Sequence, residues 1–66
     1  MKVKINGEIR DISDNLTVKQ LIEKLNLNPD RIIVEYNGEV IDKEKYETIS
    51  LKENDKLELI HFVGGG

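Results

Sequence analysis

The feature that most constrains this chain is a single helical stripe set among extended segments. Val18, Leu21, Ile22 and Leu25 fall at i, i+3, i+4 and i+7, one face of a helix. Thr17-Val18-Lys19-Gln20 is a capping box, in which the threonine hydroxyl accepts from the Gln20 amide and the glutamine reaches back. Leu16 and Leu21 stand where a hydrophobic staple closes the same turn. Asn26 and Asn28 mark the exit and Pro29 blocks continuation, so the spacing predicts a helix over about 18–26. One helix covers one face of a sheet. The other face of any sheet this chain builds is left open.

The strands are read from alternation and turn chemistry. Met1-Lys2-Val3-Lys4-Ile5 alternates apolar and charged residues, the period of a half-buried strand. Asn6-Gly7 is a strong hairpin signal because a type I′ turn needs positive φ twice. Glu8 to Ile12 then returns as a second strand, with Val3, Ile5 and Ile9 expected on the inner face. Ile32 to Tyr36 is apolar and β-branched, a third strand. Asn37-Gly38 repeats the hairpin signal before a short strand at Glu39-Val40-Ile41. Asp42 to Glu47 reads as a helical turn docking the Tyr46 ring, and Ile49 to Leu51 as a short extended stretch. Glu53-Asn54-Asp55 reads as a solvated turn, and the last long strand begins at Leu57. The expected fold class is therefore α+β, a mixed four- to five-stranded sheet gripping one helix, the β-grasp arrangement. In that fold the final strand lies centrally, parallel to the first.

Sixty-six residues make one domain. A chain this short buries only about 60% of its unfolded surface. It has no cysteine, hence no disulfide and no thiolate metal site. A net charge of −3 with both signs scattered argues against a nucleic-acid partner. No apolar run approaches the roughly 20 residues of a membrane span. The alternating start has no apolar signal core, which makes the cytoplasm the expected location. His61, the only histidine, has no second ligand type nearby, and the acidic turns match no cation-loop spacing, so no metal site is expected.

The chain closes on Val63-Gly64-Gly65-Gly66. Glycine has no Cβ and suits backbone that must pass through a tight space. The expected division is a β-grasp domain over 1–63 and a flexible glycine tail over 64–66. The reactive group would be the Gly66 carboxylate, which is ionised at neutral pH with an ordinary pKa near 3.3–3.7. An extended residue spans about 3.3–3.6 Å, so the tail of Gly64, Gly65 and Gly66 reaches roughly 10 Å into a partner.

Asn6-Gly7-Glu8, Thr17-Val18 with Leu21-Ile22, Val34-Glu35 followed by Asn37-Gly38-Glu39, Asp55 before Leu57-Glu58-Leu59, and the closing Val63-Gly64-Gly65-Gly66 together resemble the ThiS family. These are ubiquitin-like sulfur carriers of thiamin biosynthesis, and the resemblance runs end to end. The family often has Gly-Asp where this chain has Asn54-Asp55, and Pro-Arg where it has Asp42-Lys43. The resemblance implies a carrier and not an enzyme, monomeric when free and without a bound cofactor. A ubiquitin-activating-like adenylyltransferase would use ATP to adenylate Gly66. A persulfide donor would convert it to a thiocarboxylate, and thiazole synthase would take the sulfur. A carrier for molybdopterin or tRNA thiolation, a lysine-linked protein modifier and a plain binding module are the competing readings.

Alternation also proposes a partner face. If Leu57 and Leu59 point to the helix, then Glu58, Ile60 and Phe62 point to the open face. On the third strand Val34 and Tyr36 turn inward, and Ile33 and Glu35 outward. The expected partner-binding set is thus Ile33, Glu35, Glu58, Ile60 and Phe62, an apolar patch with two carboxylates beside the tail.

Overall fold

The structure, a computed structural model, describes residues 1–62. Strands β1 (Lys2–Ile5) and β2 (Glu8–Asp11) form the first hairpin. Helix α1 (Val18–Lys24) follows, then β3 (Ile32–Tyr36), the short β4 (Glu39–Val40) and β5 (Lys56–His61). The sheet order is β2-β1-β5-β3-β4. Among the described residues only the β1–β5 pairing is parallel. This is the expected mixed sheet with one helix and a central last strand.

The local signals act as their chemistry dictates. Thr17 and Gln20 make both halves of the capping box. The helix ends one turn before Pro29, with Asn26 at φ 61° just past the cap. Both Asn-Gly turns hold two successive residues at positive φ. Val18, Leu21 and Ile22 are buried, and Leu25 packs on the core edge. They meet Val3 and Ile5 of β1, Ile32 and Val34 of β3, and Leu57 and Leu59 of β5. Tyr46 sits in a 3-10 turn (Lys43–Glu47), its ring buried and its hydroxyl donating to Ile32 O at 2.7 Å. Ser50 bridges to Thr17, tying the stretch after that turn to the start of α1.

Ile9 does not share the inner face. It is 71% exposed and pairs with Lys4, whereas Val3 pairs with Arg10. A two-residue turn sets Ile5 opposite Glu8, so the parity of β2 is reversed relative to the expectation. The inner positions of this edge strand go to Glu8 and Arg10, and all of β2 is exposed. Charged residues on an edge discourage pairing with another sheet.

The Glu53–Asp55 turn differs as well. Glu53 and Asn54 are exposed, but Asp55 is only 6% exposed. Its carboxylate accepts from Tyr36 OH (2.7 Å), Lys52 N–H (2.7 Å) and Asn37 Nδ2 (3.2 Å). Those bonds satisfy the charge that burial strands, which is why an acid can sit there.

Candidate functional site

β5 is the element that carries the chain toward its end, and both hairpin turns hold it. The Asn37 N–H donates to Lys56 O at 2.8 Å, and Asn37 Oδ1 accepts from the Lys56 N–H at 2.8 Å. The Asn6 N–H donates to Leu57 O at 2.9 Å. Asn6 Oδ1 accepts from the Leu59 N–H at 2.7 Å, and Asn6 Nδ2 donates to Leu59 O at 3.4 Å. The two asparagines thus do more than tolerate positive φ. Each uses its amide as a stand-in strand residue against β5. Sequence reasoning missed this role. An Asn-Gly turn opposite a central strand is its only trace in the sequence.

Asp55 fixes the start of the same strand. Burial by itself pushes the Asp55 carboxyl up, but the hydrogen bonds from Tyr36, Lys52 and Asn37 together outweigh it and hold the group below the usual carboxylate value. Burial, with the Asp55 carboxylate beside it, pushes the Tyr36 hydroxyl up to about 12. Tyr36 therefore stays a donor to Asp55 throughout the ordinary pH range.

On the face away from α1 the expected partner residues come together. Ile33 pairs directly with Ile60, and Glu35 with Glu58. Ile33, Ile60 and Phe62 are 39%, 48% and 41% exposed, large apolar side chains facing solvent on one side of the sheet. Glu35 and Glu58 are half-buried. Val40 is exposed and lies across from Glu35 on β4, widening the apolar area. At the other end of the face Lys4 and Lys56 are partners across β1 and β5. Along β5 the open face therefore runs from basic at Lys56, through Glu58, to apolar at Ile60 and Phe62.

His61 is exposed and pairs across from Ile32. Among the described residues no group of three or more metal-ligating side chains converges. No described helix is long and apolar enough to cross a membrane. Gly64, Gly65 and Gly66 lie outside the described residues.

Comparison with known proteins places this geometry. A family model described as the ThiS family matches residues 3–66, a span that includes the terminal glycines. The sulfur carrier protein ThiS of Bacillus subtilis is 37% identical over 65 residues, covering 97% of this chain and 98% of that protein. The thiazole synthase of Paramagnetospirillum magneticum is 39% identical over 66 residues. There the match takes in all of this chain and 20% of that protein, so the chain spans about a fifth of such relatives. The crystal structure of the thiamine biosynthesis protein ThiS from Geobacter metallireducens superposes over the whole of both chains with a TM-score of 0.85 at 30% identity. With a family match over nearly its full length and the same fold in a solved relative, this chain belongs to the ThiS family.

Proposed function

We propose that the chain is a sulfur carrier of thiamine biosynthesis that works through the carboxylate of Gly66. The observation that carries this reading is the match to the Bacillus subtilis sulfur carrier over 98% of that protein's length, within a family span that reaches Gly66. The Gly66 carboxylate attacks the α-phosphorus of ATP, and pyrophosphate leaves. The acyl adenylate is a mixed anhydride, which activates an otherwise inert carboxylate. The terminal sulfur of a persulfide attacks the acyl carbon and displaces AMP. A thiol then cleaves the resulting acyl disulfide, taking the donor sulfur into a new disulfide and leaving the thiocarboxylate. This chain has no cysteine, so both the persulfide and the thiol belong to partners. The chain is carrier and substrate. ATP is held by a ubiquitin-activating-like adenylyltransferase, and no cofactor is assigned to the carrier itself.

Thiazole synthase is the proposed sulfur acceptor. Two thiazole synthases contain a stretch similar to this whole chain, which supports a working association between such a domain and that enzyme. The open face, with Ile33, Ile60 and Phe62 beside the exit of β5, is the surface through which partners recognise the carrier. Intact mass after incubation with the adenylyltransferase, ATP and a persulfide donor tests the reading. Exchange of one oxygen for sulfur at Gly66 supports it. Covalent adducts to lysines would make the chain a modifier instead, and an unchanged mass would leave a binding module.

A further inference from the structure

β5 is paired unequally on its two sides. On the β3 side the ladder runs from Tyr36↔Leu57 to Ile32↔His61, and the Phe62 N–H still donates to Arg31 O at 3.2 Å. On the β1 side backbone pairing stops at Ile5↔Leu57, because the chain turns away at Asn6-Gly7. The Asn6 side chain extends it by one step, taking both backbone groups of Leu59. Along an inner strand, successive residues direct their N–H and C=O alternately to the two neighbours. Lys56 and Phe62 bond toward β3, and Asp55, Leu57 and Leu59 bond toward β1 or Asn6. His61 belongs to the second set. Its N–H and C=O point into the space in line with β1 beyond Asn6, where among the described residues nothing pairs with them.

We infer that this gap is a slot for one extended backbone segment of the adenylating partner, which adds a short strand beside His61. The inference rests on the sulfur-carrier reading above. A strand edge with a free donor and acceptor is a ready template for strand addition. The outer edges of the sheet suit this less well. β2 is lined by Glu8, Arg10 and Asp11, and β4 is two residues long. The slot also lies on the route to the reacting group. His61 is five residues before Gly66, so the slot lies close along the chain to the group on which the partner acts. Ile60 and Phe62 stand on the open face to either side of His61, so a side chain of the added segment would meet an apolar wall. Main-chain bonds would supply register, and that wall a preference for an apolar residue.

Proline at 61 isolates the backbone donor. It lacks the N–H and is tolerated in a strand where that N–H bonds to nothing. His61→Ala is the reference, since it removes the imidazole and keeps the N–H. With the adenylyltransferase of the same genome as probe, His61→Pro should bind about five- to tenfold more weakly than His61→Ala, the effect of one lost hydrogen bond. In the wild-type complex the His61 amide should exchange with deuterium more slowly than in the free chain. Equal affinity of the two variants, or a His61 amide exchanging at its free rate within the complex, would overturn the slot and leave the sulfur-carrier reading standing. A wild-type chain that forms no complex with the adenylyltransferase would overturn both.

Discussion

Glu35 and Glu58 stand directly opposite one another across β3 and β5, on the sheet face that α1 does not cover. Like charges so placed destabilise a sheet by roughly 0.2–1 kcal/mol. Glu58→Gln should therefore raise the unfolding free energy by about that amount at low salt, and by less as salt screens the pair. Urea denaturation at two ionic strengths measures it. The same substitution should weaken association with a partner that presents a lysine or arginine there. A destabilised Glu58→Gln chain at low salt would mean that neighbouring cations already neutralise the pair.

The apolar end of the face should matter to partners and not to folding. Ile60 and Phe62 stay exposed in the free chain. Burying a side chain of this size is worth roughly 1.5–3 kcal/mol. Ile60→Glu and Phe62→Glu should each lower affinity for the adenylyltransferase or thiazole synthase by about tenfold or more, with unchanged circular dichroism. Titration of both variants against both enzymes checks it. Wild-type affinity throughout would reduce the patch to ordinary surface.

The terminal carboxylate should be indispensable and structurally silent. The buried core of the described residues runs from Val3 to Leu59. Adding one residue after Gly66 should abolish ATP–pyrophosphate exchange by the adenylyltransferase while the thermal midpoint stays where it was. Exchange that survives the extension would remove Gly66 as the reacting group.

Asp55 should set the acid limb of stability. Its folded pKa lies below the unfolded value of about 3.9, so the native state holds the deprotonated form more strongly than the unfolded chain does. Its contribution is fully present above the unfolded pKa and is lost as pH falls through the folded one. Asp55→Asn should lower stability at neutral pH by about 1.5–3 kcal/mol, the range for hydrogen bonds to a charged group, and flatten the decline below pH 4. Thermal melts of both chains across that window decide it. Parallel curves would mean that other acids carry the acid limb.

Burial should separate two apolar residues that look alike in sequence. Leu57 is wholly buried and Ile9 is mostly exposed. Leu57→Ala should cost about 2–5 kcal/mol, and Leu21→Ala should do the same. Ile9→Ala should stay within about 0.5 kcal/mol, as a surface change does. Denaturant midpoints of the three variants give the comparison.

Local chemistry was legible in the sequence wherever one element decides the outcome. The capping box, the helical stripe, the two Asn-Gly turns and the alternation of β1, β3 and β5 are interactions among neighbours along the chain, and each formed as its residues dictate. That alternation also divided β5 correctly into Leu57 and Leu59 inside and Ile60 and Phe62 outside. Ile9 is expected inward and is not, although the two-residue turn that sets Ile5 against Glu8 already sends it outward.

What the sequence by itself determined is thus the set of elements, the face that β1, β3 and β5 turn to the helix, and motifs spread along the chain that resemble the ThiS family. Tertiary structure alone decided which residues stand side by side. Glu35 meets Glu58, Asn6 reaches Leu59, and Asp55 is buried by Tyr36, Asn37 and Lys52, contacts that bridge up to 53 positions along the chain. Periodicity carries a face but no register. Register across a crossover is set by how the helix packs on the sheet and by where each neighbouring strand ends. The same long-range geometry leaves the backbone of His61 without a partner among the described residues on the β1 side, because β1 ends at Ile5 while β5 runs on.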